Sequence, residues 1–119
     1  MKYIRLFEDF QLGDLNFMSP EEIQKLFFKE CKKQIPDLEL IKVILDNGLV
    51  DVNIKDYEGW SPLHNVVYRN NIDLAELLIF AGADVNAVDD YYGESPLRVA
   101  VRRGNKEMQA LLQKHGAIL

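Results

Sequence analysis

The chain has 119 residues, 48% of them apolar, which is enough for one small domain with a buried core. Its formal net charge of −5 argues against a nucleic-acid-binding protein, because such proteins hold phosphates with an excess of lysine and arginine. The single cysteine, Cys31, excludes an intramolecular disulfide and fits a reducing compartment.

The first residues do not have the pattern of a targeting signal or of a membrane span. Glu8 and Asp9 interrupt the first apolar stretch, so it lacks the apolar core of a signal peptide. No stretch approaches the ~18 consecutive apolar residues that a membrane-spanning helix requires. We therefore expect a soluble, cytoplasmic protein with no membrane partner.

Residues 1–18 form an N-terminal extension in which a short amphipathic helix is predicted. Its apolar residues are Ile4, Leu6, Phe7 and Phe10, and a turn is expected at residues 13–14. Two interpretations stay open. The extension either covers the apolar side of the helices that follow or docks a partner.

Residues 19–55 are predicted to form a divergent pair of helices. Ser19 and Pro20 are a strong helix start, since serine caps the first turn and proline suits its first position. A second helix is expected to begin near Asp37 and to end near Gly48. The predicted inward residues are Ile23, Leu26, Phe27, Cys31, Leu40, Ile41, Ile44 and Leu45. We interpret Cys31 as a small core residue, because no histidine lies near it in sequence to activate its thiol.

Residues 56–88 predict a more regular pair, with helices over roughly 62–69 and 73–80. The break between them falls at Asn70, a residue type that tolerates the left-handed conformation of a tight turn. Gly82 is expected to close the second helix. The predicted inward residues are Leu63, Val66 and Val67 in the first helix and Leu74, Leu77 and Leu78 in the second.

Residues 89–119 repeat this plan. The predicted inward residues are Leu97, Ala100 and Val101, then Met108, Leu111 and Leu112. We expect Leu77 and Leu111 to be fully buried. The other positions are strongly polar, as the outer face of a terminal unit requires.

The last two units match in sequence as well as in pattern. Residues 59–64, Gly-Trp-Ser-Pro-Leu-His, recur as residues 93–98, Gly-Glu-Ser-Pro-Leu-Arg, at an offset of 34. Residues 52–53, Val-Asn, recur as residues 85–86 at an offset of 33. A period of this size indicates stacked structural units.

On these residues the chain resembles the ankyrin-repeat family. The resemblance implies an all-α solenoid of about three helix-turn-helix units with hairpin loops and an N-terminal helical extension. Residues 19–55 would be an N-terminal capping repeat, 56–88 an ankyrin repeat and 89–119 a C-terminal capping repeat. It also implies a structural His64, whose ring ties the turn to neighbouring backbone. Arg98 departs from the family at the matching position, where that hydrogen bond is in doubt.

The resemblance further implies that a protein partner docks on the concave side, formed by the hairpin tips and the exposed face of each first helix. Tyrosine, tryptophan and arginine dominate the energetics of protein interfaces, and they are concentrated among these positions. The candidate partner-binding residues are Tyr57, Glu58, Trp60, Tyr68, Arg69, Tyr91, Tyr92, Glu94, Arg102 and Arg103.

Structural interpretations of the same residues stay open. Trp60 would then pack on a neighbouring hairpin, Tyr91 and Tyr92 would pack within a longer tip, and the arginines at 98, 102 and 103 would be a solvated face. Beside them an acidic tip is expected from Asp84, Asp89, Asp90 and Glu94. A surface of mixed charge suits a protein better than a phosphate backbone.

No catalytic motif is present: the sequence lacks a glycine-rich phosphate loop, a cysteine pair, His-x-x-x-His and Gly-x-Ser-x-Gly. We therefore predict no enzyme activity, no cofactor and no metal site. The predicted function is a protein-interaction module, an adaptor or inhibitor, that is a monomer with an unknown partner. The alternative is an assembly protein that self-associates through its N-terminal extension.

Overall fold

The computed structural model describes residues 15–119, and within that range it contains six α-helices and no strand. The prediction of an all-α fold is confirmed, while the hairpin loops consist of successive turns. The predicted helix at Ile4 to Phe10 lies outside the described residues. The helices are α1 (Pro20–Cys31), α2 (Leu38–Asp46), α3 (Pro62–Tyr68), α4 (Ile72–Phe80), α5 (Pro96–Arg103) and α6 (Lys106–Lys114).

The first helix of each pair begins at a serine–proline step, as predicted. The side chains of Ser19, Ser61 and Ser95 each accept a hydrogen bond from the backbone N–H three residues later. In α1 and α3 the side chain at that third position, Glu22 or His64, accepts a return hydrogen bond from the backbone N–H of the capping serine. No such return bond forms in α5, where Arg98 takes this position. The doubt raised at Arg98 is therefore confirmed.

The helices form a two-layer stack. α1, α3 and α5 pack side by side in one layer, and α2, α4 and α6 pack in the other. One continuous core lies between the layers and runs through all three pairs. This is the arrangement of a solenoid, in which each unit contacts only its neighbours.

Most inward positions are buried as predicted, with four exceptions. Leu26, Leu45 and Leu77 are only partly buried, whereas Leu78, which was also predicted to face inward, is fully buried. Val101 is 45% exposed, whereas Val99 is buried. The matching residue of the preceding unit, Val67, is buried because the next helix pair packs over it. Within residues 15–119 no helix pair packs over Val101 in this way.

The tight turns inside the second and third pairs also follow the prediction. Asn70 has a φ of +59°, and Gly104 has a φ of +72° at the matching turn of the last pair. Asparagine and glycine both tolerate this left-handed conformation. The turn brings the second helix back against the first.

Two asparagines join consecutive units. The side-chain amide of Asn53 donates to the carbonyl of Gly82, and its oxygen accepts from the N–H of Asp84. Asn86 makes the same two contacts one unit later, with Gly116 and Ile118. This repetition fixes the spacing of the loops on which the candidate site is built.

Candidate functional site

The loops and first helices enclose an open groove with a volume of about 1190 Å³. Nine of the ten candidate partner-binding residues line it; the exception is Arg103, whose guanidinium lies 4.1 Å from the ring centre of Tyr68. Asn65 and Arg98 also line the groove although they were not among the ten. Arg98 is exposed on α5, so the repeat pattern itself could have identified it. Asn65 is buried on α3, where its amide donates to the Asp56 carboxylate, and no pattern in the sequence marks it.

An aromatic row forms the floor of this groove. The ring of Trp60 stacks on His64 with 5.8 Å between ring centres and meets the edge of Tyr68 at 5.6 Å. Arg103 then covers Tyr68 from the next unit. Trp60 is half-buried and contacts aromatic rings of its own unit. One face of it is structural, and the remainder belongs to the groove.

His64 is a structural residue that joins two units. Its Nε2 lies 2.7 Å from the carbonyl oxygen of Glu94, which can only accept, so Nε2 carries the proton and donates. Nδ1 is then an acceptor, and it lies 2.7 Å from the hydroxyl of Ser61 and 3.3 Å from the Ser61 N–H. This confirms the role that the sequence implied. Burial of the ring lowers the pKa of His64 from its ordinary 6.5, although the bond to Glu94 and the nearby Asp89 act in the opposite direction.

The neutral state of His64 predicts a pH dependence of stability. The unfolded chain takes up a proton near pH 6.5, while the folded chain resists it until a lower pH. The free energy of unfolding should therefore fall as the pH drops below about 6.5 toward the lowered pKa. Urea titrations between pH 7.5 and 5 will measure this. His64→Gln removes the ionisable ring, and its slope should be flatter over that range; an unchanged slope would contradict the assignment.

Asp89 organises the second loop, and the prediction that it belongs to an exposed acidic tip is wrong. Its carboxylate is buried and accepts the backbone N–H groups of Tyr91, Tyr92 and Glu94. Burial alone would raise the pKa of Asp89, but these three hydrogen bonds outweigh it, and the pKa is lowered. The loop thereby presents both tyrosines on the groove side.

Asp56 does the same for the first loop. It accepts from the N–H groups of Glu58 and Trp60 and from the amide of Asn65, and Lys32 of α1 lies 3.2 Å from the carboxylate. Burial opposes ionisation here too, but the hydrogen bonds lower the pKa of Asp56. In both loops, therefore, an aspartate at the same point of the repeat accepts hydrogen bonds from the backbone N–H groups of its own loop.

The two loops also touch each other. The N–H of Asp90 donates to the carbonyl of Gly59, and Lys55 pairs with the Asp90 carboxylate at 2.8 Å. The hydroxyl of Tyr91 reaches the carbonyl of Tyr57 at 3.4 Å. Tyr91 is thus partly engaged within the tip, whereas Tyr57 and Tyr92 are 95% and 87% exposed.

A matched pair of glycine substitutions tests this contact. Gly59 and Gly93 occupy the same point of consecutive units with φ of +78° and +65°, so alanine at either costs roughly 1–2 kcal/mol of backbone strain. A Cβ at Gly59 would also lie 2.8 Å from the Cβ of Asp90, whereas one at Gly93 would meet nothing within 4 Å. Gly59→Ala should therefore lower the melting temperature more than Gly93→Ala. Equal losses would argue against the close approach of the loops.

The groove contains one ion pair, between Arg102 and Glu94. Two N–H groups of Arg102 donate to the carboxylate of Glu94, at 2.9 and 3.0 Å. This pair sits between the second loop and α5. Together with the aromatic row it gives the groove a surface of mixed polarity, able to hold both apolar and charged groups of a ligand.

The remaining reactive side chains are poorly placed for chemistry. Cys31 is buried in the core, and burial, followed by the charge of Glu30, raises the pKa of its thiol to about 12. Among residues 15–119 no group of three histidine, cysteine or acidic side chains could hold a metal ion. No helix in the same range is long and apolar enough to cross a membrane.

Comparison with known proteins identifies the repeats of this chain. Residues 28–119 match the family model of ankyrin repeats in three copies. An ankyrin repeat protein of monkeypox virus is 43% identical over 61 residues, which are 51% of this chain and 10% of the viral protein. Human 2-5A-dependent ribonuclease is 42% identical over 52 residues, 43% of this chain and 7% of that protein. A putative ankyrin repeat protein of Rickettsia felis is 38% identical over 53 residues, covering 44% and 17%. The chain therefore spans only a small part of these relatives' length.

Proposed function

Because this chain belongs to the ankyrin-repeat family, whose members are generally protein-interaction modules, we propose that its groove binds a protein partner as an adaptor or inhibitor. The observation that carries the proposal is the groove's composition. Two highly exposed tyrosines, an aromatic floor and several arginines meet there, although the core needs none of them to be exposed. Those residue types provide most of the binding energy in protein interfaces.

The proposal is a binding role without catalysis, in the cytoplasm. Two side chains able to do acid–base or nucleophilic chemistry, His64 and Cys31, are buried and serve the fold. The ribonuclease activity named for the human relative belongs to a protein of which the match covers 7%, so it does not transfer to this chain. The single, buried cysteine fits a reducing compartment.

Capture from native cell lysate tests the proposal. Tyr57→Ala with Tyr92→Ala removes two exposed rings without touching the core, and Tyr68→Ala with Arg102→Ala removes one ring of the floor and the ion pair to Glu94. Both double variants should stay folded by circular dichroism and lose a protein that the wild type retains.

A matched control lies outside the groove. Phe80 and Lys114 are exposed on the second helices, and replacing both by alanine removes one aromatic ring and one cation. This control should retain the partner. If the control loses the partner and the groove variants keep it, the groove assignment is wrong.

Self-association through residues 1–18 is the second candidate. Its support within the described residues is limited to Phe17, which is almost fully exposed beside the buried Leu15. Deleting residues 1–10 should change the molar mass in solution if the chain assembles this way. A folded monomer both before and after the deletion would reject it.

A further inference from the structure

Arginine and lysine are segregated on this molecule. The sequence contains five arginines and nine lysines. Arg69, Arg98 and Arg102 line the groove, and Arg103 lies over its aromatic floor. None of the lysines between residues 15 and 119 lines it. A chain with a net charge of −5 thus presents a local group of four arginines at one surface.

The carboxylates of the groove leave most of these arginines available. Glu94 is engaged by Arg102, and Asp89 is occupied by three backbone N–H groups. The ion pairs found within residues 15–119 do not include Arg69, Arg98 or Arg103. Since all three are exposed, their guanidinium groups can meet carboxylates that come from a ligand.

We propose that the groove takes an extended, acidic peptide segment of the partner, with its carboxylates on Arg69 and Arg98 and its apolar side chains on the exposed tyrosines. This inference rests on the proposed function and names the chemistry of the partner. Guanidinium is suited to the task because its planar fork can hold both oxygens of one carboxylate, which an ammonium group cannot do. The absence of lysine from the described groove lining is what this geometry requires.

The geometry of an extended peptide gives the pattern of the segment. Its alternate residues are separated by roughly 6.6 Å and point to the same side. Acidic residues at alternate positions would therefore all face the side of the arginines, where their carboxylates can meet Arg69 and Arg98, and the residues between them would face the opposite way.

A peptide fits this surface better than a nucleic acid. Glu58, Glu94 and the ionised Asp89 lie in the same groove and would repel a continuous row of phosphates. A peptide can place neutral or cationic groups opposite these carboxylates and acidic groups opposite the arginines. The mixed charge of the groove therefore favours a protein segment over a nucleic acid.

Three labelled peptides test the proposal against the full-length chain by fluorescence anisotropy. They share one sequence with tyrosine and serine at the odd positions, and they carry glutamate, glutamine or lysine at the even positions. The glutamate peptide should bind most tightly and weaken as salt is added. A single-stranded RNA of equal length and charge is the fourth probe.

Two double variants locate the contact. Arg69→Gln with Arg98→Gln should weaken the glutamate peptide by about tenfold or more, because two charge-assisted contacts are lost. Lys25→Gln with Lys29→Gln removes the same net charge from the exposed side of α1 and should leave its affinity unchanged. Arg69→Lys with Arg98→Lys should also bind more weakly than wild type, because the fork geometry is lost.

The proposal is overturned if the glutamate peptide does not bind, if the glutamine peptide binds equally well, or if the RNA binds more tightly than the glutamate peptide. It is also overturned if the double arginine-to-glutamine variant and the double lysine-to-glutamine variant weaken binding of the glutamate peptide alike. Equal affinity of wild type and the lysine variant would overturn the bidentate contact. Failure of the acidic-segment proposal is distinguishable from failure of the proposed function. If only the acidic-segment proposal fails, the Tyr57/Tyr92 and Tyr68/Arg102 double variants still lose the captured protein. If the proposed function fails, these variants retain it.

Discussion

Replacing Leu78 by alanine is expected to lower the free energy of unfolding by about 2–5 kcal/mol, the range for a leucine deleted from a packed core. Leu78 is fully buried in α4, between the neighbouring second helices. A domain of this kind has a total stability of roughly 5–15 kcal/mol, so the loss is a large share of it. Urea denaturation of the wild type and the variant measures the difference.

The adjacent leucine is the matched control for this substitution. Leu77 is only partly buried, so Leu77→Ala removes less apolar surface from the core and should cost less than Leu78→Ala. The same comparison decides the register of α4. A larger loss at Leu77 than at Leu78 would mean that α4 is rotated so that Leu77, and not Leu78, faces the core.

Replacing Asp89 by alanine is expected to cost about 2–3 kcal/mol, because three backbone N–H groups lose a charged acceptor in a buried position. Asp89→Asn keeps one acceptor oxygen, so its loss should be intermediate. The effect should reach beyond stability, since this carboxylate holds Tyr91 and Tyr92 at the groove. Chemical denaturation gives the cost, and amide hydrogen exchange of residues 89–94 gives the loosening of the loop.

The neighbouring Asp90 provides the control. Its carboxylate is more than half exposed and forms a surface pair with Lys55, so Asp90→Ala should cost no more than about 1 kcal/mol. Equal losses at both positions would contradict the structural role of Asp89. Because the pKa of Asp89 is lowered in the folded chain, its contribution is present above the ordinary value of 3.8 and is lost as the pH falls through the lowered one.

The helices were predictable because local signals and periodicity agree in this chain. Each first helix begins at a serine–proline step, and the core side recurs at helical spacing. The error at Val101 falls where neighbouring units decide burial. Val101 carries the same apolar signal as Val67, but a following helix pair covers only Val67. Sequence periodicity cannot register that difference, since it is a property of the stack.

The residues that line the groove were largely predictable from the sequence, but the contacts among them were not. Exposed positions of first helices and loops follow from the repeat, which is why nine of the ten candidate residues line one groove. The role of Asp89 was missed because an aspartate in a loop usually faces water, and only the folded backbone directs three N–H groups at it. The asparagine contacts between units were missed for the same reason, although the recurrence of Asn53 as Asn86 was the available signal.

Site-specific photo-crosslinking in living cells tests most directly whether the groove is the partner site. A benzoylphenylalanine residue is introduced either at Tyr92, 87% exposed in the groove, or at Phe80, 77% exposed on α4 outside it. Each substitution replaces an exposed aromatic ring, so the two proteins differ only in the surface that carries the crosslinking group. A discrete crosslinked protein is expected from position 92 and none from position 80. A crosslinked protein from position 80 alone, or equally from both, would contradict it.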